Sequence, residues 1–262
     1  MLSIFGLVLV GIGVFLFLRH KKALDKVLEM KFTKTSTAGE LQELQKAVAD
    51  EIGPGGFNQL TEVKGTVECQ APLTAELSEQ PCVWYTMSVV ERYEEQYQER
   101  DAEGRVRTGT RTGTATVASN TQSVPFSIRD TSGMITITPN GAAIDGRKVV
   151  DRYEPAGGAS NTLRIGTFQF SPSARSGRKV LGYQYSEQII PLDARVYVIG
   201  EATDREGNLA VGKPADSEKP FILSMRSEEE VTRGMESSAT AQKWIGILLV
   251  AGGLAMAIAG LM

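Results

Sequence analysis

Trp244-Ile-Gly-Ile-Leu-Leu-Val-Ala-Gly-Gly-Leu-Ala-Met-Ala-Ile-Ala-Gly-Leu-Met262 carries no charge and no polar face. As a helix rising about 1.5 Å per residue it approaches the roughly 30 Å of a bilayer's hydrocarbon core. Leu2 to Leu18 has the same character at the other end of the chain. In lipid a backbone must satisfy its own hydrogen bonds, so a helix is the state expected of both runs. A cleaved signal peptide would need a basic n-region and a small-residue cleavage site. Here the basic cluster Arg19-His20-Lys21-Lys22 comes after the apolar run, without such a site. The expectation is therefore a transmembrane helix with a basic collar at 1–22, a soluble domain at 23–242, and a transmembrane helix at 243–262.

The charges sharpen this plan. The 262 residues hold 28 Lys and Arg against 31 Asp and Glu, and Arg19, Lys21, Lys22 and Lys243 stand at the membrane edges. The region between is acidic, which argues against a nucleic-acid partner, because phosphate binding wants a basic stripe. Arg19, Lys21, Lys22 and Lys243 flank the apolar runs on the domain side, with Trp244 as an interfacial anchor. By the positive-inside rule this predicts a two-pass protein, with its domain in the cytoplasm if the membrane is a bacterial inner membrane. Cys69 and Cys82 lack C-x-x-C spacing and are expected to be buried thiols, the alternative being a disulfide in an oxidising compartment.

Outside the apolar runs, the pattern predicts an α+β fold, mainly antiparallel β with a few helices. The first helix is expected to run on past Leu24, Val27 and Leu28. Thr37-Ala-Gly-Glu40 reads as a capping box opening a helix that stops at Gly53-Pro54-Gly55-Gly56. Strands are predicted at Val63–Val67 and Cys82–Arg92, then a charged hairpin over Arg92–Val117 with its turn at Asp101–Gly104. Ser123–Arg129 pairs with Met134–Thr138. Later strands are placed at Arg164–Phe170, Val180–Gln188, Arg195–Ala202, Asn208–Val211 and Phe221–Met225. Ser227-Glu-Glu-Glu230 is a second capping box, and one helix is expected from there into the membrane.

Glycines recur every seven residues in both apolar runs: Gly6 and Gly13 in the first, Gly246, Gly253 and Gly260 in the second. Residues seven apart share a helix face, so each run carries a smooth stripe where a second backbone can approach. The stripes suit packing of the two spans on each other, or a homo-oligomer.

Catalytic signals are weak. The one His, His20, lies in the basic cluster, so no Ser-His-Asp or Cys-His set can be built in the soluble part. No phosphate-binding P-loop is present, no metal-ligand set is found, and no cofactor is expected. Tyr93 and Tyr97 share one face of the hairpin arm, with Arg105 and Arg107 on the returning strand. They form a candidate partner-binding edge, the alternative being that the tyrosines pack on the sheet.

The order of these features carries a resemblance. A span and a short capped helix lead to Val63-Lys-Gly-Thr-Val67, then Cys82-Val-Trp-Tyr85 and the charged hairpin. Ser123-Val-Pro-Phe126, Tyr185-Ser-Glu-Gln-Ile-Ile-Pro191 and Val196-Tyr-Val-Ile-Gly-Glu201 follow before the last span. This resembles the GIDE family, the "beside a membrane" domain of a mitochondrial E3 ubiquitin ligase. In such ligases the resemblance implies a RING domain, which needs eight Cys or His ligands for two zinc ions. These residues include two Cys and one His. The resemblance thus implies a RING-less relative, with no catalytic residue carried over. The expected function is a membrane-anchored, non-enzymatic binding or scaffold module, or a sensor, with an unknown protein partner. The alternatives are an E3 ubiquitin ligase-like role through family membership, an unrecognised hydrolase, and a membrane-perturbing effector.

Overall fold

The computed structural model describes residues 2–100, 104–156, 163–165, 168–170 and 178–259. The fold is α+β. Helix α1 (Leu2–Phe32) and α2 (Ala38–Ile52) lead into strands β1 (Asn58–Glu68), β2 (Leu73–Thr74), β3 (Pro81–Arg100) and β4 (Val106–Ser123). Then come β5 (Phe126–Arg129), β6 (Met134–Ile137), β7 (Ala143–Asp145) and β8 (Arg147–Pro155). The chain continues through β9 (Leu163–Ile165), β10 (Phe168–Phe170), β11 (Arg178–Pro191) and β12 (Arg195–Thr203). It ends with β13 (Ala210–Gly212), β14 (Ile222–Ser224) and α3 (Glu228–Ala259).

The first sheet closes on itself. β1 pairs along β12, from Asn58 opposite Thr203 to Thr66 opposite Arg195. Its far end then pairs with β5, which pairs with β6; β6 meets β13, and β13 returns to β12. Closure satisfies edges that would otherwise offer unpaired backbone groups. The interior is filled by Val63, Val67, Ile128, Ile137, Val198 and Leu223, with Leu41 of α2 pressed against them. β2, β3, β4, β8 and β11 form the second sheet, with β3 between β4 and β11. Its own core is Tyr85, Met87, Val89, Tyr185 and Ile189. β3 ties the two units together, because neighbouring residues on it, Trp84 and Tyr85, enter different cores.

Helix α2 is pinned at both ends by carboxylates. The Thr37 side chain accepts from the Glu40 N–H and Glu40 reaches back to the Thr37 N–H, closing the capping box. Asp130 accepts from Ala38 N at 2.7 Å, in the first turn. Asp204 accepts from Gln45, Gly55 and Phe57 at 3.0 to 3.1 Å, just past the last turn. Gln45's amide and the Gly55 and Phe57 N–H groups hold the Asp204 carboxyl below its usual range. Burial opposes the same effect at Asp130, but the Ser132 hydroxyl and the N–H groups of Ala38, Ser132 and Gly133 outweigh it. A folded-state pKa below the unfolded value of about 3.9 gives stability that is full above that pH and lost as the pH falls through the folded values. Acidification below about pH 4 should therefore release α2 ahead of the barrel strands. Hydrogen exchange at residues 41–52, followed from pH 6 to pH 3, should show that loss, and uniform loss across α2 and β12 would contradict it.

Several elements differ from the sequence reading. The span predicted as one strand over Arg164–Phe170 is two short strands, β9 and β10, paired antiparallel. β8 was not predicted at all; it is an outer strand on β11, and most of its side chains face water. Asp101, Ala102 and Glu103 of the predicted hairpin turn lie outside the described residues.

Cys69 and Cys82 are both free thiols. Cys82 is fully buried, and burial, with the nearby Glu187 charge, pushes its thiol up to about 11. Cys69 is partly exposed. Since the thiolate is the reactive form, a maleimide at pH 7 should label Cys69 and spare Cys82 until the fold is denatured. Equal labelling rates in the native protein would contradict the buried position of Cys82.

Candidate functional site

Two constructions stand out: the pairing of α1 with α3, and the arm made by β3 and β4.

The two long helices run antiparallel along a seam with a strict seven-residue step. Buried positions recur every seven residues: Gly6, Gly13, His20 and Val27 on α1, and Thr232, Ala239, Gly246 and Gly253 on α3. A Cβ at Gly6 would lie 2.5 Å from the Gly253 carbonyl oxygen. One at Gly13 would lie 2.8 Å from that of Gly246. One further step inward, His20 Nδ1 hydrogen-bonds the Ala239 carbonyl oxygen at 2.9 Å. Glycine is thus required where backbone meets backbone, and the seam continues as His20 packs against Ala239. A strict seven-residue repeat keeps such a seam in contact over many turns. The glycines Gly6, Gly13, Gly246 and Gly253 face each other within one chain, so they are not an open surface for a second copy. Gly260 lies outside the described residues.

His20 corrects the sequence reading, which put it in the basic collar. Its neighbours Arg19 and Lys21 are exposed, but His20 is 8% exposed and turned into the seam. The signal was present: His20 is seven residues after Gly13. Lys243 and Trp244 are exposed on α3, and the side chain of Lys22 lies outside the described residues. The outer faces of the pair are apolar and uncovered, with Phe5, Leu7, Phe15 and Leu18 on α1 and Ile245, Leu248 and Leu254 on α3 all at least half exposed. Among the described residues one helix, Glu228–Ile258, is long and apolar enough to cross a membrane by length and composition.

The arm is built differently. Among the described residues, β11 accompanies β3 as far as Glu95, opposite Arg178. Past that point the β3–β4 pairing continues, with Gln96 to Arg100 opposite Thr110 to Val106. That is an extension of about 17 Å at 3.4 Å per residue. Tyr93 lies opposite Gly113 and Tyr97 opposite Gly109. A Cβ on either glycine would sit 2.7 Å from the facing ring. The rings therefore lie flat across the returning strand, where any larger residue would displace them. Arg178 stacks on Tyr93 at 4.1 Å and Arg111 on Tyr97 at 5.8 Å. Both guanidiniums also bind Glu95, at 2.8 and 2.6 Å, and the pair, Arg178 first, holds its carboxyl below the usual range. The tyrosines thus serve as ribs of the arm, and Tyr97 keeps 38% of its surface exposed. Arg105 and Arg107 are exposed near the tip.

Buried charges are what the sequence reading missed. Glu62 is 1% exposed and is met by the Thr35 hydroxyl at 2.6 Å and Lys64 Nζ at 2.7 Å. Glu187, also 1% exposed, accepts from Leu77 N and Ser78 N. Among the described residues no group of three or more His, Cys, Asp or Glu side chains could hold a metal ion.

Residues 94–258 match the GIDE family, described as E3 ubiquitin ligase. The chain belongs to the GIDE family. The match begins inside the arm and ends in α3, so it takes in part of the second sheet, part of the barrel and the C-terminal helix of this GIDE chain. Neither the curated proteins nor the solved structures contain a significant match to it.

Proposed function

We propose that this GIDE chain is a two-pass membrane protein whose β domain is a non-enzymatic binding or scaffold module held beside the bilayer. The observation that carries this reading is the α1–α3 seam. Two long helices meet glycine to glycine along one face and leave large apolar side chains uncovered on the others. Exposed apolar surface on that scale needs lipid or a partner to cover it, and close glycine approach is how helices associate where lipid removes the hydrophobic drive. The proposed spans end at the collar formed by Arg19, Lys21, Lys22, Lys243 and Trp244. With the positive-inside rule, these residues support a cytoplasmic domain if the membrane is a bacterial inner membrane.

The arm is the proposed recognition element. It projects past β11, is ribbed by Tyr93 and Tyr97, and carries Arg105 and Arg107 at its end. A ligase-like role is the second reading, and the family description alone favours it.

Two measurements test the proposal. The full chain should stay in the membrane through alkaline carbonate extraction, with both termini protected from the protease that digests the domain. Proteins co-purified from solubilised membranes should be lost when residues 94–113 are replaced by a short turn. Release by carbonate would end the membrane reading, and identical co-purified proteins without the arm would end its role in recognition.

A further inference from the structure

Both long helices end at one cleft of about 870 Å³ on the side of the barrel. Thr35 and Ser36, just after α1, line one side, and Ser227 to Glu229, at the start of α3, line another. The floor is β1 and β12, through Lys64, Arg195 and Tyr197. Four basic side chains reach it: Lys64, Arg129, Arg195 and Arg226. Three have partners. Lys64 bridges Glu62 and Glu228, Arg129 pairs with Glu68, and Arg226 pairs with Asp145. Among the described residues Arg195 has no ion pair, and it is exposed. Of the three carboxylates in the lining, Asp130 is committed to the N–H groups of Ala38, Ser132 and Gly133 and Glu228 to Lys64, while Glu229 is exposed in the first turn of α3. Ser36 in the lining is 2% exposed and leaves its hydroxyl oxygen without a hydrogen-bond partner among the described residues, while Tyr197, also 2% exposed, faces the Glu62 and Glu228 carboxylates. Tyr197 also lies under the Lys64 ammonium, 5.5 Å from its ring.

We infer that this cleft takes a water-soluble molecule through a single oxyanion group, a phosphate or a carboxylate, and that its occupancy is felt by the helix pair. An uncommitted guanidinium offers paired N–H donors to an oxyanion, and the unpartnered buried hydroxyl of Ser36 supplies a group that completes such a site. The occupant is a solute rather than a lipid headgroup. Glu228 precedes Trp244 by sixteen residues of continuous helix, about 24 Å along its axis. The coupling follows from the walls, since an occupant touches the segments that leave α1 and enter α3. The inference rests on the membrane-anchored reading, of which it names the ligand class.

The test uses the full chain in lipid nanodiscs at pH 7. Inorganic phosphate and, separately, succinate are titrated against sodium chloride of equal ionic strength. Thermal unfolding and hydrogen exchange at residues 33–37 and 226–232 are followed. One of the two anions should raise the melting temperature saturably and slow exchange at both segments, while chloride does neither. Arg195→Gln, a surface change, should weaken that response about tenfold or more and leave the unliganded melting temperature unchanged. A phosphate response assigns the site to phosphate-bearing solutes and a succinate response to carboxylates. A response to neither anion, an equal response in Arg195→Gln, or one matched by chloride overturns the site. Saturable binding without slower exchange at both segments overturns the coupling. Carbonate extraction judges the membrane reading separately, since a chain that is released could still bind phosphate.

Discussion

Gly253→Ala is expected to separate α1 from α3. The new methyl would lie 2.6 Å from the Gly6 carbonyl oxygen and 3.0 Å from the Val10 backbone nitrogen. Those atoms are main chain and cannot rotate away, so one helix must move. Overpacking of this kind costs roughly 1–3 kcal/mol, and the upper end is expected where backbone faces backbone. The adjacent Gly252 has nothing within 4 Å of its Cβ position. Gly252→Ala should be neutral or stabilising by up to about 1 kcal/mol, since alanine is the better helix former. Unfolding of the full chain in detergent measures both. Two variants one residue apart should move in opposite directions, and matching shifts would mean that α1 does not lie where the seam puts it.

Glu187→Ala should be the most damaging change in the second sheet, at about 3 kcal/mol. Its carboxylate accepts from Leu77 N at 2.7 Å and Ser78 N at 2.8 Å. It thereby holds the turn between Ala75 and Gln80, where Glu79 adopts a left-handed φ of 57°. Truncation leaves both N–H groups without their acceptor and opens space beside Cys82 and Tyr85, at a cost of roughly 1–3 kcal/mol for each stranded group. Glu187→Gln keeps one acceptor oxygen and should recover part of the loss. Denaturant unfolding gives the totals, and hydrogen exchange at Leu77 and Ser78 locates the effect. If Glu187→Ala were as stable as the native chain, the turn would have to be held by other groups.

Local chemistry was legible in the sequence. Both capping boxes, at Thr37 and Ser227, are present in the structure, because the hydroxyl and carboxylate that make them lie three residues apart. The arm and the pairing of β5 with β6 were readable for the same reason, since partner strands are joined by short connections. Closure of the barrel was not. It depends on residues 58–66 meeting residues 195–203, and nothing local to either stretch names the other. β8 was missed because an outer strand facing water shows little alternation; of its nine residues only Val150 is buried. The glycine–tyrosine pairs of the arm escaped notice because they are matched by register across the hairpin, not by proximity along the chain. Glu62 and Glu187 were not singled out because Glu is usually a surface residue and the groups that bury them come together only in the fold. The family itself was legible from the order of short motifs, none of them specific alone.

The seven-residue step of the helix pair sets a rule for how this architecture can vary. One residue inserted into α3 between Ala239 and Gly246 would swing everything beyond it round by about 100°, carrying Gly246 and Gly253 off their partners. Seven residues would bring them back into phase, but only if α1 gained seven as well. The length of the helix pair can therefore change only in paired steps of about 10 Å.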